Sequence, residues 1–274
     1  MKVLEAKKGE IYVLRRANSI EEDSDDEDLT GTPDDSSSRT VDISEYGACP
    51  NCNGWILLHS LKRHMHTCSL DNISSNRALV VQSHIIVGKI PADATQALIK
   101  EVFPIMKNDD IAETACHDAL IINLGNQWMM RHRRNEIMRK YYTSSVMRLA
   151  AKLKLAAQTL TDTSYEINHY LAPRYFETII KAALVCCHAE DEEDIKAPST
   201  AIKFGHDIKR MVNAKLAKAI VNDDAIQQKE AQHFLKLMEM EWGLRVTKLA
   251  RCTLVERSFN QAKELPLPDD VKRL

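Results

Sequence analysis

Between Cys49 and Cys68 the chain reads CPNCNGWILLHSLKRHMHTC, and this stretch limits the fold more tightly than any other. Cys49 and Cys52 are separated by two residues, eleven more lead to His64, and Cys68 follows four positions later. Two thiolates on a tight turn can share one ion about 2.3 Å from each sulfur, and Pro50 and Asn51 suit such a turn. On a helix, His64 and Cys68 point the same way and complete a tetrahedron. Ile56 and Leu61 fall where a small ββα finger keeps its mini-core. The loop is one residue shorter than the commonest C-x2-C-x12-H spacing, and the fourth ligand is Cys rather than His; zinc tolerates both. His59 and His66 compete for the imidazole position, but His66 would face away from Cys68, so His64 is preferred. The expectation is one structural Zn2+ held by Cys49, Cys52, His64 and Cys68, with no open coordination position for catalysis.

The remaining cysteines, Cys116, Cys186, Cys187 and Cys252, lie in apolar helical patterns and read as buried thiols rather than disulfides. A reducing compartment is therefore expected, nuclear or cytoplasmic. The sequence has no apolar run of about eighteen residues and no apolar N-terminal signal segment, so neither a membrane partner nor secretion is expected.

Charge is segregated along the chain. Residues 21–35 carry acids and no basic residue, whereas residues 131–154 hold Arg131, Arg133, Arg134, Arg139, Lys140, Arg148, Lys152 and Lys154 against Glu136 alone. Residues 1–16 read as a short β segment. Residues 17–45, acidic and poor in apolar side chains, read as a disordered linker, because they cannot bury enough surface to offset ordering entropy. The finger takes 46–70. A connector at 71–92 includes a strand-like piece at His84 to Val87.

From Asp93 to about residue 268 the pattern is helical. Asp93 can cap a helix that Pro104 bends or ends. A long amphipathic stretch from Ile111 to Leu155 shows one face at Leu120, Leu124 and Trp128 and another at Val146, Leu149, Ala150 and Leu153, with Gly125 and Thr143-Ser144-Ser145 as weak points. Pro173 fits a first helical turn before Tyr175, Phe176, Ile179, Ile180, Ala183 and Leu184. Ser199 caps a helix striped by Ile202, Ile208, Met211, Val212, Leu216, Ala219 and Ile220. Asp223 or Asp224 opens the last long helix, through Ile226, Phe234, Leu235, Met238, Trp242, Val246 and Leu249, which Leu265-Pro266-Leu267-Pro268 stops. The fold class is mainly α: a helical bundle preceded by the finger and the acidic linker.

Arg131, Arg133, Arg134, Arg139 and Lys140 interleave with Trp128, Tyr141 and Tyr142. Arginines on a rigid helix suit phosphate oxygens, and aromatic neighbours can pack on sugar or base. Lys62 and Arg63 on the finger helix are further phosphate candidates. The alternative is a protein-interaction module in which the finger or a bundle face docks a partner and the arginines meet acidic surface, residues 21–35 included.

The finger, followed by DALIINLGNQWMMRHRRNEIMRKY (118–141), KAPSTAIKFGHDIKR (196–210), FLKLMEMEW (234–242) and LPLPDDVKRL (265–274), resembles the N-terminal part of Crypton-like tyrosine recombinases, as does GEIYVLRR (9–16). The resemblance lies in the order of these blocks and implies a transposon-derived DNA-binding protein. In that family a catalytic domain follows, and residues 269–274 would be its beginning. Tyr175 is the last tyrosine, and His132-Arg133-Arg134 lacks an Arg at the third place after the His. Strand transfer needs a nucleophile and cationic stabilisation together, so no enzymatic activity is expected of this polypeptide.

Overall fold

The computed structural model describes residues 43–68, 75–188 and 195–259. The β segment at 1–16, most of the linker at 17–45, the acidic loop from Glu190 to Asp194 and the 265–274 block lie outside the described residues. The chain divides into two compact units after Ile73.

The first unit is a ββα finger. A short 3-10 turn, Ile43–Glu45, leads into β1 (Tyr46–Ala48), which pairs antiparallel with β2 (Trp55–Leu57) in the register Tyr46↔Leu57, Gly47↔Ile56, Ala48↔Trp55. Helix α1 (Leu61–Cys68) follows. Its Leu61 and Met65 are buried one turn apart, and Ile56 is half-buried. Ala48 and Cys49 are buried too, and Leu57 and Leu58 are half-buried, but so few apolar side chains do not hold such a unit by burial alone.

The second unit is an all-α bundle: α2 (Asn76–Ile86), α3 (Asp110–His117), α4 (Ala119–Arg131), α5 (Glu136–Thr161), α6 (Ile167–Tyr170), α7 (Phe176–Cys186), α8 (Pro198–Val221), α9 (Ala225–Leu237) and α10 (Lys248–Phe259). The central helix α5 packs against α3, α4 and α7, and α8 packs against α4 and α9. No helix among the described residues is long and apolar enough to cross a membrane.

Several elements differ from the sequence expectation. In the strand-like piece at His84 to Val87, His84–Ile86 end α2 and Val87 is its C-cap; the Ser75 N-cap accepts from Ala78 N, and Leu79, Val81 and Ser83 are buried. Asp93 does not cap the next segment. Thr95 does, its hydroxyl accepting from Leu98 N, while Asp93 offers its carbonyl to Asn126. Pro104 then sits in a 3-10 turn, Phe103–Ile105, where its missing N–H costs nothing. Helix α8 starts at Pro198 behind Ala197, so Ser199 is inside the helix. Asp224 caps α9 by accepting from Gln227 N.

The stretch from Ile111 to Leu155 is three helices. The breaks fall at Asp118, whose carboxylate caps α4, and at His132–Asn135, where Asn135 caps α5. Gly125 and Thr143–Ser145 are continuous helix. They serve contact: a Cβ on Gly125 would sit 2.5 Å from Met147 Sδ, and Thr143 and Ser144 are buried small residues.

Between α9 and α10 the helix widens into a π-helical stretch, Met238–Thr247, marked by Lys248 N donating to Gly243 O. The cause is legible in the spacing of the core residues Phe234, Met238, Trp242, Val246 and Ala250, all buried and each four apart. In an α-helix each step of four overshoots a full turn by about 40°, so five such residues would wind off the core. A wider turn removes the drift.

Candidate metal centre and basic surface

The metal site is built by two local structures. In the turn after β1, Cys49 N donates to Gly54 O and Asn53 N to Cys49 O, both at 2.9 Å, and Asn51 N points at Cys49 Sγ at 3.4 Å. This fold-back needs one left-handed residue, and Asn53 supplies it with φ 56°. Helix α1 contributes the other half, placing His64 and Cys68 one turn apart.

The four donor atoms lie within 4.8 Å of one another. Cys49 Sγ and Cys68 Sγ are 4.0 Å apart, and Cys52 Sγ is 3.4 Å from His64 Nε2. A tetrahedron with metal–sulfur bonds of about 2.3 Å has edges of about 3.8 Å, so these separations suit a single shared ion. His59 and His66 are exposed and outside the cluster.

Asn51 does more than form the turn. Its side-chain amide donates to Cys68 O at 2.7 Å and to Cys68 Sγ at 3.3 Å, tying the turn to the end of α1. This donor pulls the Cys68 thiol below its ordinary value, whereas burial and the neighbouring sulfurs push Cys52 up.

Among the other cysteines, Cys116 and Cys187 are buried and pushed up to about 12, and burial pushes Cys186 to about 11. Cys252 departs from the expectation of burial: it is exposed on α10.

The basic candidates do not form one helix face. Arg131 ends α4, Arg133 and Arg134 lie in the break, and all three are exposed. Arg139 is not available for phosphate. Its Nε and Nη2 donate to both oxygens of Glu101 at 2.9 and 2.6 Å, a bidentate pair with the Arg139 side chain only 18% exposed. Arg148 is likewise held by Asp109, and Lys154 by Asp118. Lys140 leans over the Tyr141 ring at 5.2 Å. Tyr141 and Tyr142 are about half exposed. In the finger, Lys62 and Arg63 are exposed on α1.

Sequence reading missed a groove between α4 and α8, with Trp128 and Arg131 on one side and Arg210 and Asn213 on the other. Those residues are some eighty positions apart, and no local motif joins them. Compared with protein-family models, curated proteins and solved structures, the chain has no significant match.

Proposed function

We propose that the Cys49, Cys52, His64, Cys68 cluster holds one structural Zn2+ and that the chain binds nucleic acid without cutting it. Thiolate-rich donor sets favour zinc over hard cations, and a four-ligand set leaves no position for substrate. Bound zinc supplies folding energy to a finger whose own core is small.

The observation that carries the nucleic-acid reading is the α4–α5 break. Arg131, Arg133 and Arg134 are exposed there and make no ion pair among the described residues, while Tyr141 and Tyr142 offer exposed rings from the next turns of α5. Arg139 and Arg148, by contrast, have carboxylate partners. Unpaired cations and exposed aromatic rings on one stretch of chain suit a polyanion with stackable groups. Lys62 and Arg63 add the same chemistry to the finger. The relationship to Crypton-like recombinases, and with it a nuclear location, rests on the sequence blocks and on this binding role.

The test is binding of a DNA duplex across a salt series. Log K should fall by about 0.9 per phosphate contacted for each tenfold rise in salt, and the triple variant R131Q/R133Q/R134Q should flatten that slope. A wild-type chain with no affinity at low salt contradicts the reading.

A protein-docking role is the second reading. It is favoured by apolar exposure around the α8–α9 turn, where Ile220 is 56%, Val221 83% and Ile226 76% exposed. Substituting those three by Ser should leave DNA affinity unchanged and abolish any protein complex.

A further inference from the structure

The groove between α4 and α8 has the chemistry of a small anion site. Its volume is about 450 Å3. Arg210, Asn213 and Ala217 share one face of α8 at helical spacing, and Trp128 and Arg131 face them from α4. None of the lining side chains is acidic.

Arg210 is set in place before any ligand arrives. Its guanidinium carbon lies 5.0 Å from the Trp128 ring centroid, and the Trp128 ring stacks on His132 at 4.8 Å with an interplanar angle of 13°. Arg210 Nη1 donates to Asp207 Oδ1 at 2.6 Å, which leaves its other N–H groups for the groove. Asp207 itself is buried, and burial pushes its carboxyl above the usual range. The Trp128 Nε1–H lies near that carboxylate and favours its charged form, yet makes no hydrogen bond among the described residues. Arg131 is exposed and free of ion pairs among the described residues. The local sum is therefore cationic: two guanidiniums against one buried carboxylate.

A guanidinium whose rotamer is already fixed loses little entropy on binding, and a second guanidinium lining the same groove can add charge-assisted bonds to the oxyanion. We infer that this groove seats a phosphate group, with Arg131 and Arg210 as its cationic walls and the Asn213 amide as a neutral donor. The source of the phosphate rests on the nucleic-acid reading: a backbone phosphodiester is the ligand that reading supplies. Inorganic phosphate presents the same oxygens.

The experiment follows the three indole N–H resonances of the full-length chain, Trp55, Trp128 and Trp242, during titration with inorganic phosphate and, separately, with a DNA duplex at low salt. W128F assigns the groove signal. The Trp128 resonance should move saturably with both ligands while that of Trp242 stays. A217E places a carboxylate in the groove, where it competes with an anion for Arg131 and Arg210, and R131Q removes one wall. Each should weaken the response roughly tenfold or more.

Movement with phosphate but not with duplex keeps the seat and removes the nucleic-acid source. Duplex binding that leaves Trp128 still, or that A217E does not weaken, overturns the seat and leaves the nucleic-acid reading standing. A Trp128 signal unmoved by either ligand overturns the seat as well.

Discussion

Arg139 is bound to Glu101 through two parallel hydrogen bonds, Nε to Oε2 at 2.9 Å and Nη2 to Oε1 at 2.6 Å, joining the start of α5 to the π-helical turn Leu98–Val102. Glu101 raises the Arg139 value, so the guanidinium stays charged. This pairing divides the basic residues into structural and available ones. Accordingly, R139Q should lower thermal stability and leave the salt slope of DNA binding unchanged, whereas R133Q should do the reverse. Melting temperature and binding titrations on the two single variants check this. A large affinity loss in R139Q with no change in melting contradicts it.

Two helix glycines should respond differently to alanine. At Gly205 in α8 a Cβ would meet Trp242 Nε1 at 2.6 Å and Cδ1 at 3.2 Å, and that indole is rigid and 3% exposed. Overpacking of this kind costs about 1–3 kcal/mol, against roughly 1 kcal/mol gained from helix propensity. G205A is expected to be destabilised by up to about 2 kcal/mol. At Gly125 the obstacle is the flexible Met147 thioether, which can turn aside, so G125A should lie within about 1 kcal/mol of wild type. Chemical denaturation of both variants gives the comparison.

Acid should loosen the α2–α3 contact. His84 Nδ1 and His117 Nε2 are 3.3 Å apart, with Glu113 beside His117 and Lys89 and Arg77 as neighbouring cations. Burial holds both rings neutral, His84 down at about 4. A histidine whose folded value lies below its ordinary 6.5 stabilises the fold above pH 6.5; that contribution is lost as pH falls toward 4. The loss should be on the order of 2 kcal/mol for His84. H84Q should flatten the stability curve between pH 4 and 6.5, measured by denaturation at each pH. The Asp109–Arg148 pair acts in a lower window. Its depressed carboxyl, at about 2, contributes above pH 3.8 and is lost below that toward pH 2.

Most of the helical fold was readable because its signals are local. Phe176, Ile179, Ile180 and Ala183 on α7, and Ile208, Met211, Val212 and Ala219 on α8, are buried as their spacing requires. The metal cluster was equally legible, since a turn and one helical turn fix all four donors. The errors arise where side chains compete with pattern. His84-Ile85-Ile86-Val87 is β-branched and reads as a strand, but Ser75 caps the segment and Leu79, Val81 and Ser83 bury its helical face. The break before α5 depends on Asn135 as a cap, in a run whose arginines otherwise favour continuing the helix. Long-range pairs gave no signal at all: Glu101 with Arg139, and Arg210 with Trp128, meet only once the bundle has packed. The widened helix was not anticipated: the stripe reads as an ordinary helix through Leu249, whereas the buried residues keep a strict spacing of four from Phe234 to Ala250, a period that an α-helix does not sustain.

The most direct test is cobalt substitution of the purified chain, with metal content measured beside the visible spectrum. One metal per chain and the bands of a tetrahedral site with three sulfurs and one nitrogen are expected. H64A should lose that spectrum, while H59A and H66A should keep it. Less than stoichiometric metal, an octahedral spectrum, or an H64A variant indistinguishable from wild type would contradict the account.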